Sequence, residues 1–201
     1  MRIFAGCLVA AVISSGAALA QNATSPQAPA AQPAMPQATI ETSMGTIVLA
    51  LDPAHAPKTV ANFIRYAREK HFNGTVVYRV QPGFVIQAGS YRADGSAKSV
   101  HDGIPLESGV PNTRGSVAMA HGDDPTSAQA EFFIDLSDVP SLDRHADDAN
   151  GTTGFAVFGH VVSGMDVVDR IAAVPTGGTG PMAPGVTPLS PVMIENVTIA
   201  N

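Results

Sequence analysis

Tryptophan is absent from this chain of 201 residues, and cysteine occurs once, at Cys7. One cysteine near the start leaves no disulfide framework and no thiolate metal centre for the rest of the chain. Charge is scarce, at 14% of residues, and leans acidic: eleven Lys and Arg stand against seventeen Asp and Glu. Without a basic patch, nucleic acid and anionic membrane surfaces are poor partners. Familiar catalytic signatures are missing too. There is no Gly-x-Ser-x-Gly elbow, no Gly-x-x-x-x-Gly-Lys phosphate loop and no His-Glu-x-x-His helix. "GGTGPMAPG" is glycine-rich, but its prolines and the lack of a following helix exclude a nucleotide loop. His121-Gly122-Asp123-Asp124 and His145-Ala146-Asp147-Asp148 look like metal ligands, yet neither has a third donor at metal-site spacing. They read as polar loops, and no metal or organic cofactor is expected.

What is present points to one folded domain after a leader. Hydrophobics make up 45%, with 19 Gly and 16 Pro, too apolar for a disordered chain and too broken for a helical bundle. Residues 1–20 have the build of a signal peptide: Arg2, the apolar run Ile3–Ile13 and small residues Ala18–Ala20 before Gln21. The run is too short for a stable membrane span, so the membrane is met only during export. Cleavage after Ala20 removes Cys7 and Arg2 and leaves a net charge of −7, ten basic against seventeen acidic residues. Residues 21–38, rich in Ala, Pro and Gln, read as a flexible linker, and the domain is expected to span 39–201.

Within the domain, strands dominate. "TIETSMGTIVLAL" predicts a hairpin about Ser43-Met44-Gly45. "APKTVANFIRYAREKHF" predicts a helix opened by Pro57 and ended by Asn73-Gly74, with Val60, Phe63, Ile64 and Ala67 on one stripe. Further strands are read in "VVYRVQPGFVIQAG" (hinged at Pro82-Gly83), "GSVAMA", "EFFIDL", "GFAVFGHVV" and "VMIENVTIA". A second helix is read at about Gly164–Ala173, and 176–191 as loop. Many strands and two helices predict a mainly β, closed antiparallel barrel capped by two α-helices. On the first strand of "VVYRVQPGFVIQAG", alternation puts Val77, Arg79 and Gln81 on one side. A cation at Arg79 and an amide at Gln87 are out of place in a strand that only fills a core.

The run "VYRVQPGFVIQAG", followed by "NTRGSVAMAHG", "AEFFIDL", Leu142 and "GFAVFG", resembles the cyclophilin-type peptidyl-prolyl cis-trans isomerases, especially their exported bacterial branch. The likeness runs from Thr39 to the C-terminus and implies an eight-stranded barrel. It implies Arg79 as catalytic cation with Gln87 holding its guanidinium, and a pocket of Phe84, Val85, Phe133 and Leu142 for the substrate proline. It also implies a neighbouring wall from Met119 and Ala120, peptide-binding backbone at His121, and Phe155 beside the pocket. The implied partners are X–Pro polypeptides, secreted or envelope proteins. The Ala-rich signal and the family branch both favour a periplasm, and with no oligomer signal in the sequence a monomer is the default.

Several positions depart from the family pattern. Glu131 stands where Gln is usual, and pairing with Arg79 would either stiffen that cation or neutralise part of its field. Tyr78 replaces the usual His, Val85 a Met, and Ala88 a Gly. Ser141 replaces an aromatic, which implies weak cyclosporin binding. Two other readings stay open: a non-catalytic module that binds proline segments as a chaperone or assembly factor, with Glu131 its best support, and, more weakly, a small-ligand barrel.

Overall fold

The computed structural model describes residues 35–145, 153–181 and 184–200, so the expected leader and most of the expected linker lie outside the described residues. In chain order the elements are β1 (Gln37–Thr42), β2 (Gly45–Leu51), α1 (Pro57–Arg68), β3 (Thr75–Val77), β4 (Arg79–Gln81) and β5 (Val85–Ala88). They continue with β6 (Ser116–Met119), β7 (Phe132–Asp135), β8 (Ala156–Ser163), α2 (Met165–Ala172), β9 (Thr176–Gly178), β10 (Thr187–Pro188) and β11 (Val192–Ala200).

One antiparallel sheet of nine strands, in the order β3-β11-β1-β2-β8-β6-β7-β5-β4, makes the barrel. Its edge strands, β3 and β4, are consecutive in sequence and separated by Tyr78 alone. The two edges are thus joined through one residue, and the sheet is nearly closed. Counted as one broken strand, Thr75–Gln81 restores the eight expected. The break also resets the alternation: Val77 and Val80 both point into the main core, whereas Arg79 is only half-buried. Val77 therefore does not share a side with Arg79, contrary to the unbroken reading.

Inward residues follow the period of two in each strand: Ile40, Ile47 and Leu49, Val117 and Met119, Phe132 and Ile134, Val192 and Ile194. Helix α1 closes one end, and Phe63 meets Phe72, Phe132 and Phe158 at centroid distances of 5.0, 5.6 and 5.1 Å. Val60, Phe63 and Ala67 of the predicted stripe are buried, as is Tyr66, while Ile64 is partly buried. The helix stops at Arg68, short of the predicted Asn73-Gly74, because Lys70 turns left-handed (φ 56°) and His71 N–H bonds back to Tyr66 C=O at 2.9 Å. Its N-terminus has no cap of its own. Glu107, 48 residues beyond Thr59, accepts from Thr59 N–H and Thr59 Oγ1, both at 2.8 Å, and from Lys58 N–H at 3.1 Å.

Helix α2 buries Val167, Val168 and Ile171. It begins after Gly164, whose φ of +89° is left-handed and whose added Cβ would lie 2.3 Å from Thr46 O. Strand β1 starts two residues before the expected Thr39, since Ala38 is a core residue and Gln37 pairs with both Ala50 and Ala200. The stretch 176–191 contains the small β9–β10 ribbon, which glycines and prolines concealed in the sequence. Val186 C=O accepts from Val80 N–H at 2.7 Å, so this stretch flanks β4.

Candidate active site

The site is an outward-facing row crossing five strands. Arg79 lies opposite Gln87, Gln87 opposite Phe133, Phe133 opposite Ala118, and Ala118 opposite Val157. Their chain neighbours Val80, Ile86, Ile134 and Val117 all belong to the inner core, so the row sits on the outer wall. Gln81–Phe84 makes the turn that aligns β4 with β5: Phe84 N–H donates to Gln81 C=O at 3.0 Å, and Gly83 takes φ +73°. Proline at the second place and a left-handed glycine at the third are what a type II turn requires. Hence Pro82-Gly83 fixes the Arg79–Gln87 register.

Val85, Ala118, Phe133 and Val157 form a small second core, with Phe84, Val110, Ala120, Leu142 and Phe155 packed against it. Phe155 meets Phe133 edge-on at 5.3 Å and stacks on His121 at 4.6 Å. The His121 ring nitrogens bond Gly122 O and Gly154 O at 2.7 and 2.8 Å, so this ring braces the rim. The result is an open cleft of about 480 Å³. Ten of the residues expected at the site line it: Arg79, Phe84, Val85, Gln87, Ala120, His121, Glu131, Phe133, Leu142 and Phe155.

Met119 does not. It is 1% exposed and points into the inner core, one step out of phase with Ala118 and Ala120. The strand "SVAMA" carries the signal, since its small residues alternate with large ones and only the small ones leave room for a ligand. Ser90, Ser127 and Gln129 also line the cleft and went unassigned in the sequence. Gln81 belongs to the site as well: Arg79 Nη2 donates to Gln81 Oε1 at 2.8 Å, as the strand side shared by the two residues allows.

Arg79 Nη1 donates to Gln87 Oε1 at 3.1 Å, and the guanidinium carbon lies 5.5 Å from the Phe84 ring centre. Glu131 behaves differently from either sequence expectation. No guanidinium nitrogen comes within 4.0 Å of its carboxylate among the described residues; instead Oε2 accepts from Gln87 Nε2 at 3.0 Å and from the Tyr78 hydroxyl. On β7, opposite Val85, lies Asp135. It is fully buried, with neither carboxyl oxygen hydrogen-bonded among the described residues. Burial, and then the nearby charge of Asp143, push its pKa up to about 8.

A rigidly held cation at the rim of an apolar pocket can grip a small ring and place donors against an adjoining amide. A family model described as cyclophilin type peptidyl-prolyl cis-trans isomerase/CLD matches residues 37–199. The chain is 43% identical over 162 residues to peptidyl-prolyl cis-trans isomerase cyp18 of Streptomyces antibioticus, covering 80% of this chain and 96% of that protein. It is 42% identical over 164 residues to peptidyl-prolyl cis-trans isomerase B of Escherichia coli K12, covering 81% and 98%. In fold it matches the crystal structure of a cyclophilin type isomerase of Cryptosporidium parvum obtained in the presence of the dipeptide Ala-Pro. That match has a TM-score of 0.66 at 19% identity, over 82% of this chain and 99% of that one. Sequence likeness across nearly the whole length of these relatives, on the same barrel, shows that the chain belongs to the cyclophilin-type peptidyl-prolyl cis-trans isomerases.

Proposed function

We propose that this chain accelerates rotation about X–Pro bonds of exported proteins, with Arg79 as the catalytic cation. The observation that carries the assignment is the Arg79–Gln87 pair held at the rim of the Phe84–Phe133–Leu142 pocket. Rotation about a peptide bond costs ~18–20 kcal/mol because the C–N bond has partial double-bond character. At X–Pro bonds uncatalysed exchange takes roughly tens to hundreds of seconds. The reaction needs neither nucleophile nor proton shuttle. It needs a site that favours the twisted amide, whose nitrogen has become pyramidal and regained its lone pair.

Arg79 suits that task. Among the described residues two of its N–H groups are engaged, by Gln87 and Gln81, which orient the plane and leave the others for substrate. A donor that meets the lone pair only after twisting binds the transition state better than the ground state, which raises kcat. One preorganised donor is worth about 2.7–4 kcal/mol, or two to three decades of rate. The apolar wall holds the proline ring while the preceding carbonyl swings past it.

The test is cis–trans exchange of an Ala-Pro peptide, measured by NMR with residues 21–201 and with the Arg79→Ala variant. The expected result is a loss of about two to three decades in kcat with a smaller change in peptide affinity. Equal loss in both would reduce Arg79 to a binding group. Export rests on Arg2, the run Ile3–Ile13 and Ala18–Ala20. The chain then acts as a monomer in the periplasm, and sequencing the protein from a periplasmic extract should find Gln21 first. A leader still attached in the cytoplasm would refute this.

A further inference from the structure

Tyr78 occupies the one-residue gap between β3 and β4, beside Arg79, and the mechanism above gives it no part. Its backbone N–H donates to Gln87 C=O at 3.1 Å, its ring is 1% exposed, and it meets Tyr91 edge-on at 4.9 Å. Its hydroxyl donates to Glu131 Oε2, the same oxygen that accepts Gln87 Nε2. Gln87 Oε1 in turn accepts from Arg79. Four side chains therefore form one relay, Tyr78 to Glu131 from one side and Arg79 to Gln87 to Glu131 from the other.

The relay has a fixed polarity. A carboxylate only accepts, so Gln87 must turn its nitrogen toward Glu131 and its oxygen toward Arg79. A glutamine at 131 could present either end, and would leave the Gln87 amide free to reverse. A carboxylate, however, brings a hazard. In a part-buried cleft its strongest available donor is a guanidinium, and a fork-on-fork pair would draw Arg79 away from the substrate. What stands against that in the structure is the Tyr78 hydroxyl. Burial, with the charge of Glu131, raises the pKa of this phenol, so it stays a donor throughout the working range.

We propose that Tyr78 is a positioning residue for the isomerisation: its hydroxyl holds the Glu131 carboxylate on Gln87 and off Arg79, which keeps the cation available to the substrate amide. This rests on the role given to Arg79 above. It also explains how a site with glutamate at 131 keeps its cation unneutralised, by pairing the acidic residue with a tyrosine 53 positions earlier in the chain.

The test is a double-mutant cycle of Tyr78→Phe and Glu131→Gln, with Arg79→Ala alongside. The readouts are kcat and KM for an Ala-Pro peptide, the melting temperature, and the Arg79 guanidinium NMR signals. Tyr78→Phe should lower kcat about tenfold with KM within about twofold, and should shift the Arg79 signals toward those of an ion pair. Added to Glu131→Gln, the same change should cost less than about twofold relative to Glu131→Gln alone, because no carboxylate remains to restrain. An equal loss in both backgrounds would mean a merely structural tyrosine and would overturn the proposal, as would an unchanged kcat in Tyr78→Phe. If Arg79→Ala keeps full turnover, the Arg79 mechanism fails with it. If Arg79→Ala is inactive while Tyr78→Phe is silent, only the role of Tyr78 falls.

Discussion

Replacing Asp135 by asparagine should make the protein more stable at neutral pH while leaving it unchanged in acid. The carboxyl is fully buried, lacks hydrogen-bond partners among the described residues, and has its pKa raised to about 8 from an ordinary value of 3.8. In the unfolded chain it ionises near 3.8; in the folded chain it holds its proton until about 8. Between those values the unfolded state carries fewer protons, so stability falls as pH rises. The contribution is complete below 3.8 and gone above about 8. At ~1.36 kcal/mol per unit, the loss from pH 5 to pH 7 is about 2–3 kcal/mol, a shift of roughly 4–12 °C in melting temperature for a domain of this size. Asparagine keeps the shape without the proton. Urea unfolding of both proteins at half-unit steps from pH 4 to 8 should give curves that lie close together near pH 4 and separate by a further ~2–3 kcal/mol between pH 5 and pH 7. Parallel curves would mean that the folded carboxylate is ionised and satisfied, and the reasoning from burial would be wrong.

Two further substitutions probe the frame around the site. Glu107→Ala should cost about 1–2 kcal/mol, read by urea unfolding, because it removes the only side chain on the α1 N-terminus among the described residues. Its effect on kcat should be under about twofold, since Glu107 does not line the cleft. Gly89→Ala should cost about 2–3 kcal/mol, because Gly89 sits at φ +128° and an added Cβ would stand 2.3 Å from Ala130 O. Since that clash pushes on the backbone next to Glu131, turnover should fall as well; a normal melting temperature would refute the first part and normal turnover the second.

The site was legible in the sequence where it depended on short-range pattern. Pro82-Gly83 marks its own turn, and that turn alone sets Arg79 opposite Gln87. The resemblance misplaces Met119 because it carries positions without their direction; the alternation of small and large residues in "SVAMA" corrects it. Other features depend on partners far apart in the chain. Nothing local ties Glu107 to α1, and nothing near Glu131 announces that its donors are Tyr78 and Gln87. The break at Tyr78 is of the same kind. It exists because β3 and β4 answer to different neighbours, β11 on one side and β5 on the other.

That arrangement governs the order in which the molecule can assemble. The pairing of β4 with β5 is local, closed by the turn at Pro82-Gly83, whereas β3 must wait for Val192–Ile194. The last strand also lies along β1, near the start of the domain, so it is the stave that shuts the barrel from both sides. A chain that emerges N-terminus first can form hairpins and wrap much of the inner core, but its wall stays open until Val192–Ala200 is free. Contacts of such long sequence separation slow folding. Closure is therefore the slow step of this topology, set by β11 finding β1 on one side and β3 on the other.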